Sequence, residues 1–130
     1  MLVVDASVLA PTLADDGPSG DTARARLHGC ALSAPELIDL EVLSVLRRQL
    51  AAGAIDTRRA NLAAADLSDL PLDRAPHGPL ISRCWELRHN LTPYDAAYVA
   101  LAELLDAELV TADARLAASP GTRCSITLLA

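Results

Sequence analysis

The stretch Thr92-Pro93-Tyr94-Asp95, followed by the apolar run 96–105 and then by Ala107-Glu108-Leu109-Val110-Thr111, decides the fold. A Thr with an acid three residues later and Pro at the first turn has the form of a capping box, so a helix begins there. The β-branched and apolar residues at 107–111 then predict a strand, and Asp113 stands just beyond its end. Working outward, the same alternation recurs. Leu2-Val3-Val4 reads as a buried strand, Leu32-Ser33 and residues 70–72 as shorter strand candidates, and residues 124–129 as the last strand. Between them, Ser33-Ala34-Pro35-Glu36 resembles a second capping box opening a helix that runs to Gly53, Asp56 caps another that extends through residues 61–69, and a further helix spans 79–90. Gly17-Pro18, residues 71–79 and Pro120-Gly121 read as loops. Strands alternating with helices imply βαβ units, hence an α/β fold with a central parallel β-sheet flanked by helices on both faces.

The 130 residues fit one domain, here taken as 1–130, and a chain of this size buries roughly two-thirds of its unfolded surface without disulfides or structural metals. Its apolar residues are chiefly Ala, Leu and Val, with no Phe, one Trp and two Tyr, which predicts an aliphatic core and argues against aromatic base-stacking platforms. Cys30, Cys84 and Cys124 are odd in number and lack C-x-x-C spacing, so they read as reduced small hydrophobes. Met1 leads straight into a strand and no apolar run nears the ~20 residues of a membrane span, so the expectation is a cytoplasmic protein with no membrane partner. All eleven basic residues are Arg, whose fork-shaped donors suit phosphates and carboxylates. The net charge of −6 sits awkwardly with nucleic-acid binding, but two divalent cations would cancel four of those charges.

Four acids stand out. In an open parallel sheet, ligands bind beyond the carboxyl ends of strands where neighbouring connections diverge, and Asp5 and Asp113 both fall just past a strand. Each has an alternative reading as the N-cap of the next helix. Glu41 has Leu37, Ile38, Ser44 and Val45 as its helical neighbours; a carboxylate in such apolar surroundings needs a partner, either a metal or an Arg such as Arg47 or Arg48. Asp95 completes the Thr92 capping box and also projects an acid towards the same end of the sheet. Converging carboxylates repel one another, so a cluster of them suits a hard cation, Mg²⁺ or Mn²⁺; the absence of a spaced His/Cys set argues against zinc. His28, His77 and His89 are scattered and read as surface or loop residues.

Together the segments Val3-Val4-Asp5-Ala6-Ser7-Val8-Leu9, Asp39-Leu40-Glu41-Val42-Leu43, Leu91-Thr92-Pro93-Tyr94-Asp95-Ala96-Ala97-Tyr98-Val99-Ala100-Leu101-Ala102 and Val110-Thr111-Ala112-Asp113-Ala114-Arg115-Leu116 resemble a PIN-domain ribonuclease, the VapC-type toxin of a type II toxin-antitoxin system. The resemblance implies a single PIN domain and a Mg²⁺- or Mn²⁺-dependent endoribonuclease that cuts transfer or ribosomal RNA. It implies a homodimer held inactive by a VapB-type antitoxin, with Asp5, Glu41, Asp95 and Asp113 as catalytic and metal-binding residues. Ser7 would support Asp5 or a metal-bound water, and Thr111 would do the same beside Asp113. Two positions depart from the pattern: Ser44 stands where many relatives carry Asn, and Arg115 and Leu116 where some carry a further acid. Both remove ligands from a second metal position.

Other architectures with clustered acids lose to single residues. A receiver domain needs a Lys near its last strand, and this chain has none; a haloacid-dehalogenase-like phosphatase needs Asp-x-Asp after the first strand, where Ser7 stands. The alternative of another class is a PIN-like interaction module whose acids only cap helices.

Overall fold

The structure, a computed structural model, describes residues 1–129. Its five strands are β1 (Leu2–Val4), β2 (Leu32–Pro35), β3 (Leu72–Ala75), β4 (Glu108–Thr111) and β5 (Ile126–Leu128). All pair in parallel, in the order β3-β2-β1-β4-β5. Helices α1 (Ala6–Ala14) and α2 (Pro18–Leu27) join β1 to β2, and α3 (Ile38–Ala51) and α4 (Thr57–Asp69) join β2 to β3. The chain then returns across the sheet through α5 (Ile81–Glu86) and α6 (Pro93–Leu105) to β4, and α7 (Ala114–Ala117) leads to β5. Parallel crossovers are right-handed, so reversing their direction moves the later helices to the opposite face. Accordingly α1 packs on α2, α3 and α4, while α6 lies against β1, β2, β4 and α5.

The core is aliphatic, as the composition predicts: Val3, Val4, Leu109 and Val110 from the sheet meet Val8, Leu9, Ile38 and Val42 on one side and Val99 and Leu101 on the other. Tyr98 is its one large aromatic member, 1% exposed. Residues 96–102 of α6 are all buried, and the four Ala among them let its backbone run close to the sheet. Among the described residues no helix is long and apolar enough to cross a membrane.

Two predicted caps hold. Asp56 accepts the Arg59 N–H at 2.8 Å, and Thr92 Oγ1 accepts the Asp95 N–H at 3.2 Å. The box predicted at Ser33 does not form: residues 32–35 are strand, in register with residues 72–75 of β3, and α3 begins three residues later than the pattern placed it. Strand pairing on both edges outweighs the local preference of Ser33, whose side chain is buried. The first turn of α3 takes an unexpected partner instead, since the Leu37 N–H bonds Nε2 of the exposed His77 at 3.1 Å. The helix predicted over 79–90 is shorter, a 3₁₀ turn at Gly78–Leu80 followed by α5. Gly17-Pro18 is not merely a loop: Gly17 is the N-cap of α2 and Pro18 its first residue, where the missing N–H is harmless.

This topology fixes where a site can be. β1 and β4 are adjacent, yet the connection leaving β1 goes to one side of the sheet and that leaving β4 to the other, which opens a crevice beyond their carboxyl ends.

One local constraint is testable. A Cβ on Gly20, within α2, would lie 1.8 Å from the Asp15 carbonyl oxygen. Ala is the better helix former by ~1 kcal/mol, but a clash with backbone outweighs that gain. Gly20→Ala should therefore lower stability by about 1–3 kcal/mol in urea denaturation; a variant as stable as wild type would show that α2 shifts freely.

Candidate active site

At the end of β1, Asp5 occupies the N-cap position of α1, where its carbonyl accepts the Val8 and Leu9 N–H groups at 3.2 and 3.0 Å. Its carboxylate is not spent on the cap. Oδ1 accepts from Ser7 Oγ and Oδ2 from Thr111 Oγ1, each at 2.6 Å. Those hydroxyls in turn accept backbone N–H groups from the loop after β4, Ala112 to Ser7 at 2.8 Å and Asp113 to Thr111 at 3.0 Å. With its acceptor role filled by backbone, each hydroxyl directs its proton at Asp5. Asp5 is only 7% exposed, and this burial pushes its carboxyl above the usual range; the charge of Asp113 adds to the rise and the two hydroxyl bonds oppose it.

Glu41 sits one turn into α3, half-buried. Its partner is neither Arg47 nor Arg48 but the phenol of Tyr98, which donates a hydrogen bond to Oε1; Arg48 bonds Ser44 Oγ instead. Burial raises the Glu41 carboxyl, Asp95 and Asp5 raise it further, and the Tyr98 bond pulls the other way. Burial and the Glu41 charge drive the Tyr98 phenol well above its ordinary value, so it stays a donor.

Asp95 keeps the capping geometry of its backbone, but its carboxylate turns to Arg115, whose Nη2 lies 2.8 Å from Oδ2. Asp113 does act as a cap, its Oδ1 accepting the N–H groups of Arg115 at 2.9 Å and Leu116 at 3.3 Å. Its Oδ2 faces the same guanidinium at 3.4 Å.

All four acids line one cleft of about 300 Å³, together with Ala6, Ser7, Ser44, Val45, Arg48 and Tyr98. The four acids that stand out in the sequence therefore share one cleft. The sequence pattern gave Tyr98 and Arg115 no role, although Tyr98 follows Asp95 by three residues and so shares its helix face. Among the described residues no three His, Cys, Asp or Glu side chains converge on a single metal position. Each carboxylate is held by its own partner, hydroxyls for Asp5, a phenol for Glu41 and a guanidinium for Asp95 and Asp113. The donor set nonetheless fits a hard dication: it is all oxygen, two members are raised by burial, and one cation of the chain already lies between the other two.

A doubly wound parallel sheet with an acidic crevice at its switch point defines a class, and the sequence agrees, since residues 2–120 match the PIN domain. Over 128 residues the chain is 45% identical to ribonuclease VapC1 of Mycobacterium tuberculosis, covering 98% of this chain and 96% of that protein. It is 43% identical over 133 residues to ribonuclease VapC9 of the same organism, at 99% and 98% coverage. The crystal structure of M. tuberculosis VapC20, a toxin that cleaves the sarcin-ricin loop, superposes with a TM-score of 0.71 over 95% of this chain and 97% of that one; at 19% identity it speaks to the fold alone. The chain belongs to the PIN-domain family, among its VapC ribonucleases.

The Tyr98–Glu41 bond has a pH signature. A carboxyl raised by folding contributes stability that is complete below its unfolded value near 4 and is lost as pH rises through the folded value. Tyr98→Phe removes a donor that favours the charged form, so it raises Glu41 further and should cost about 1–3 kcal/mol at pH 7. The gap to wild type should narrow as pH falls through the raised Glu41 value, where Glu41 is protonated in both proteins. Urea denaturation of chelated protein over a descending pH series from 7 checks this, and a gap that stays constant across the series would count against Glu41 as the group involved.

Proposed function

We propose that this chain is a Mg²⁺- or Mn²⁺-dependent endoribonuclease toxin that cuts structured transfer or ribosomal RNA and is neutralised by a VapB-type antitoxin. One observation supports the metal assignment above others: Asp5, Glu41, Asp95 and Asp113, brought from four separate segments, share a single cleft at the sheet's switch point. Four carboxylates so placed repel one another, and two are already raised by burial, so a bound dication relieves a cost that the fold carries.

Asp5 is the most rigid ligand candidate, clamped at both oxygens, and Glu41 is oriented by Tyr98. Asp95 and Asp113 supply oxygens from α6 and from the cap of α7. When bound, the cation supplies a water activated for attack on phosphorus and offsets charge at the leaving oxygen. Arg48, on the rim of the cleft, is placed to receive a backbone phosphate. Attack by water leaves a 5′-phosphate and a 3′-hydroxyl and uses no ribose hydroxyl as nucleophile; loops are the suited targets for a separate reason, that their unpaired bases can be read.

The partner reading rests on exposed apolar surface. Ile81, Trp85 and Tyr94 line a groove of about 430 Å³ beside α5 and α6, suited to a second copy in a homodimer. Leu43 and Leu62 remain exposed on α3 and α4, suited to an amphipathic antitoxin segment with a basic residue reaching the acids. A cytoplasmic site of action accords with an RNA substrate.

Asp5→Asn separates ligand from scaffold, because it keeps size and removes one charge. Chelated, it should melt somewhat below wild type, because its amide N–H would face a hydroxyl that already donates, so the metal response and not the melting point alone carries the test. Added Mn²⁺ should stabilise wild type in proportion to the logarithm of its concentration and the variant much less, with cleavage of a mixed RNA substrate lost in parallel. Equal metal shifts with undiminished cleavage would remove Asp5 from catalysis, whereas a wild type that neither binds Mn²⁺ nor cleaves RNA would favour the interaction-module reading. For the partners, analytical ultracentrifugation should find a dimer that Trp85→Glu converts to monomer, and an antitoxin tail stripped of Arg and Lys should inhibit less than the native tail; a monomeric wild type, or equal inhibition, would overturn the respective surface.

A further inference from the structure

We infer that Arg115 is an internal competitor for the divalent cation, its guanidinium and the cation contending for Oδ2 of Asp95 and Oδ2 of Asp113. The inference rests on the metal reading proposed above. Asp113 has one free oxygen to give: its Oδ1 is committed to the Arg115 and Leu116 N–H groups that start α7, which leaves Oδ2. That oxygen faces the Arg115 Nη2 at 3.4 Å, and the same nitrogen bonds Asp95 Oδ2 at 2.8 Å. The guanidinium thus joins the acid on α6 to the acid before α7 and supplies one positive charge where a dication would need to lie. An oxygen facing a guanidinium at this range cannot also ligate a dication at full strength, because the two cations repel.

How strongly Arg115 resists follows from its exposure. Its side chain is 63% exposed, so the pair is screened by water and the long side chain is free to swing out. The consequence is competition rather than a block. Metal affinity is set below what the four acids alone would give. Arg48 lines the same cleft but bonds only Ser44 Oγ, so it contributes to the general field without holding a carboxylate.

The test is isothermal titration of Mn²⁺ into chelator-stripped full chain at one pH and ionic strength, with Mn²⁺ electron paramagnetic resonance as a second measure of free ion. Arg115→Ala should bind Mn²⁺ about two- to fivefold more tightly than wild type, the range set by an exposed ion pair. Arg115→Lys, which keeps the charge but loses the planar fork, should lie between them. Arg48→Ala should move the affinity less than Arg115→Ala. Equal or weaker binding by Arg115→Ala, or an equal gain from Arg48→Ala, would overturn the inference while leaving a metal site in place. If wild type and every variant bind no Mn²⁺, the metal reading itself falls and the competition with it.

Discussion

The Asp5 carboxylate, caught between the hydroxyls of Ser7 and Thr111, is the point on which the site depends. The two hydroxyls do more than satisfy an anion. Each relays a backbone N–H from the loop after β4, so the ends of the two central strands are tied through one buried charge. β1 and β4 already pair along their length, and this network extends the pairing beyond the last strand residue, where a parallel sheet normally frays into loops. It also holds the Asp5 carboxylate at both oxygens, the preorganisation that its proposed role would require. The cost is visible in the raised proton affinity of the group, since burial withdraws water from a charge that two hydroxyls only partly replace.

Around that point, repulsion is distributed rather than removed. Glu41 is half-buried beside a phenol, Asp95 and Asp113 share a guanidinium, and Asp113 is further held by the N-terminus of α7. These partners differ in how readily they let go. The hydroxyl clamp and the phenol lie in packed surroundings, whereas the guanidinium stands in solvent. The cleft therefore has a rigid floor and a yielding wall, which suits a site that takes up a cation and then a polyanion. A net charge of −6 that looked unfavourable for an RNA-directed protein is partly this cluster, so the charge that repels phosphate is the charge a dication would neutralise.

The relation to VapC ribonucleases runs over nearly the whole chain, and so does the agreement of the quoted acid-bearing segments with the cleft. Where the chain departs from the pattern, the structure gives the departures a place. Ser44 meets Arg48 on the rim of the cleft, and Arg115 replaces a further acid with a cation aimed at the acids themselves.

The alternation of strands with helices was legible from periodicity and caps, because those depend on neighbours within a turn, and Asp56 and Thr92 cap as their local patterns require; α1 and α2 were not delimited, and β3 runs through residues read as loop. The position of acids just past strands 2–4 and 108–111 was legible for the same reason. Ser33 misled, since its local preference lost to pairing with strands from residues 2–4 and 72–75 that no local window contains. Asp5 and Asp113 looked identical in sequence, an acid between strand and helix, yet only Asp113 caps with its carboxylate. The difference is that Thr111, 106 residues from Asp5, reaches it across the sheet. Glu41 announced by its apolar neighbours that it needed a partner, but Tyr98 lies 57 residues away and meets it only because the chain reverses direction after β3. Sequence determined which groups carry charge and which elements present them; tertiary structure alone decided who answers each charge, because a hydrogen bond is set by distance in space and the strand order brings distant residues within its reach.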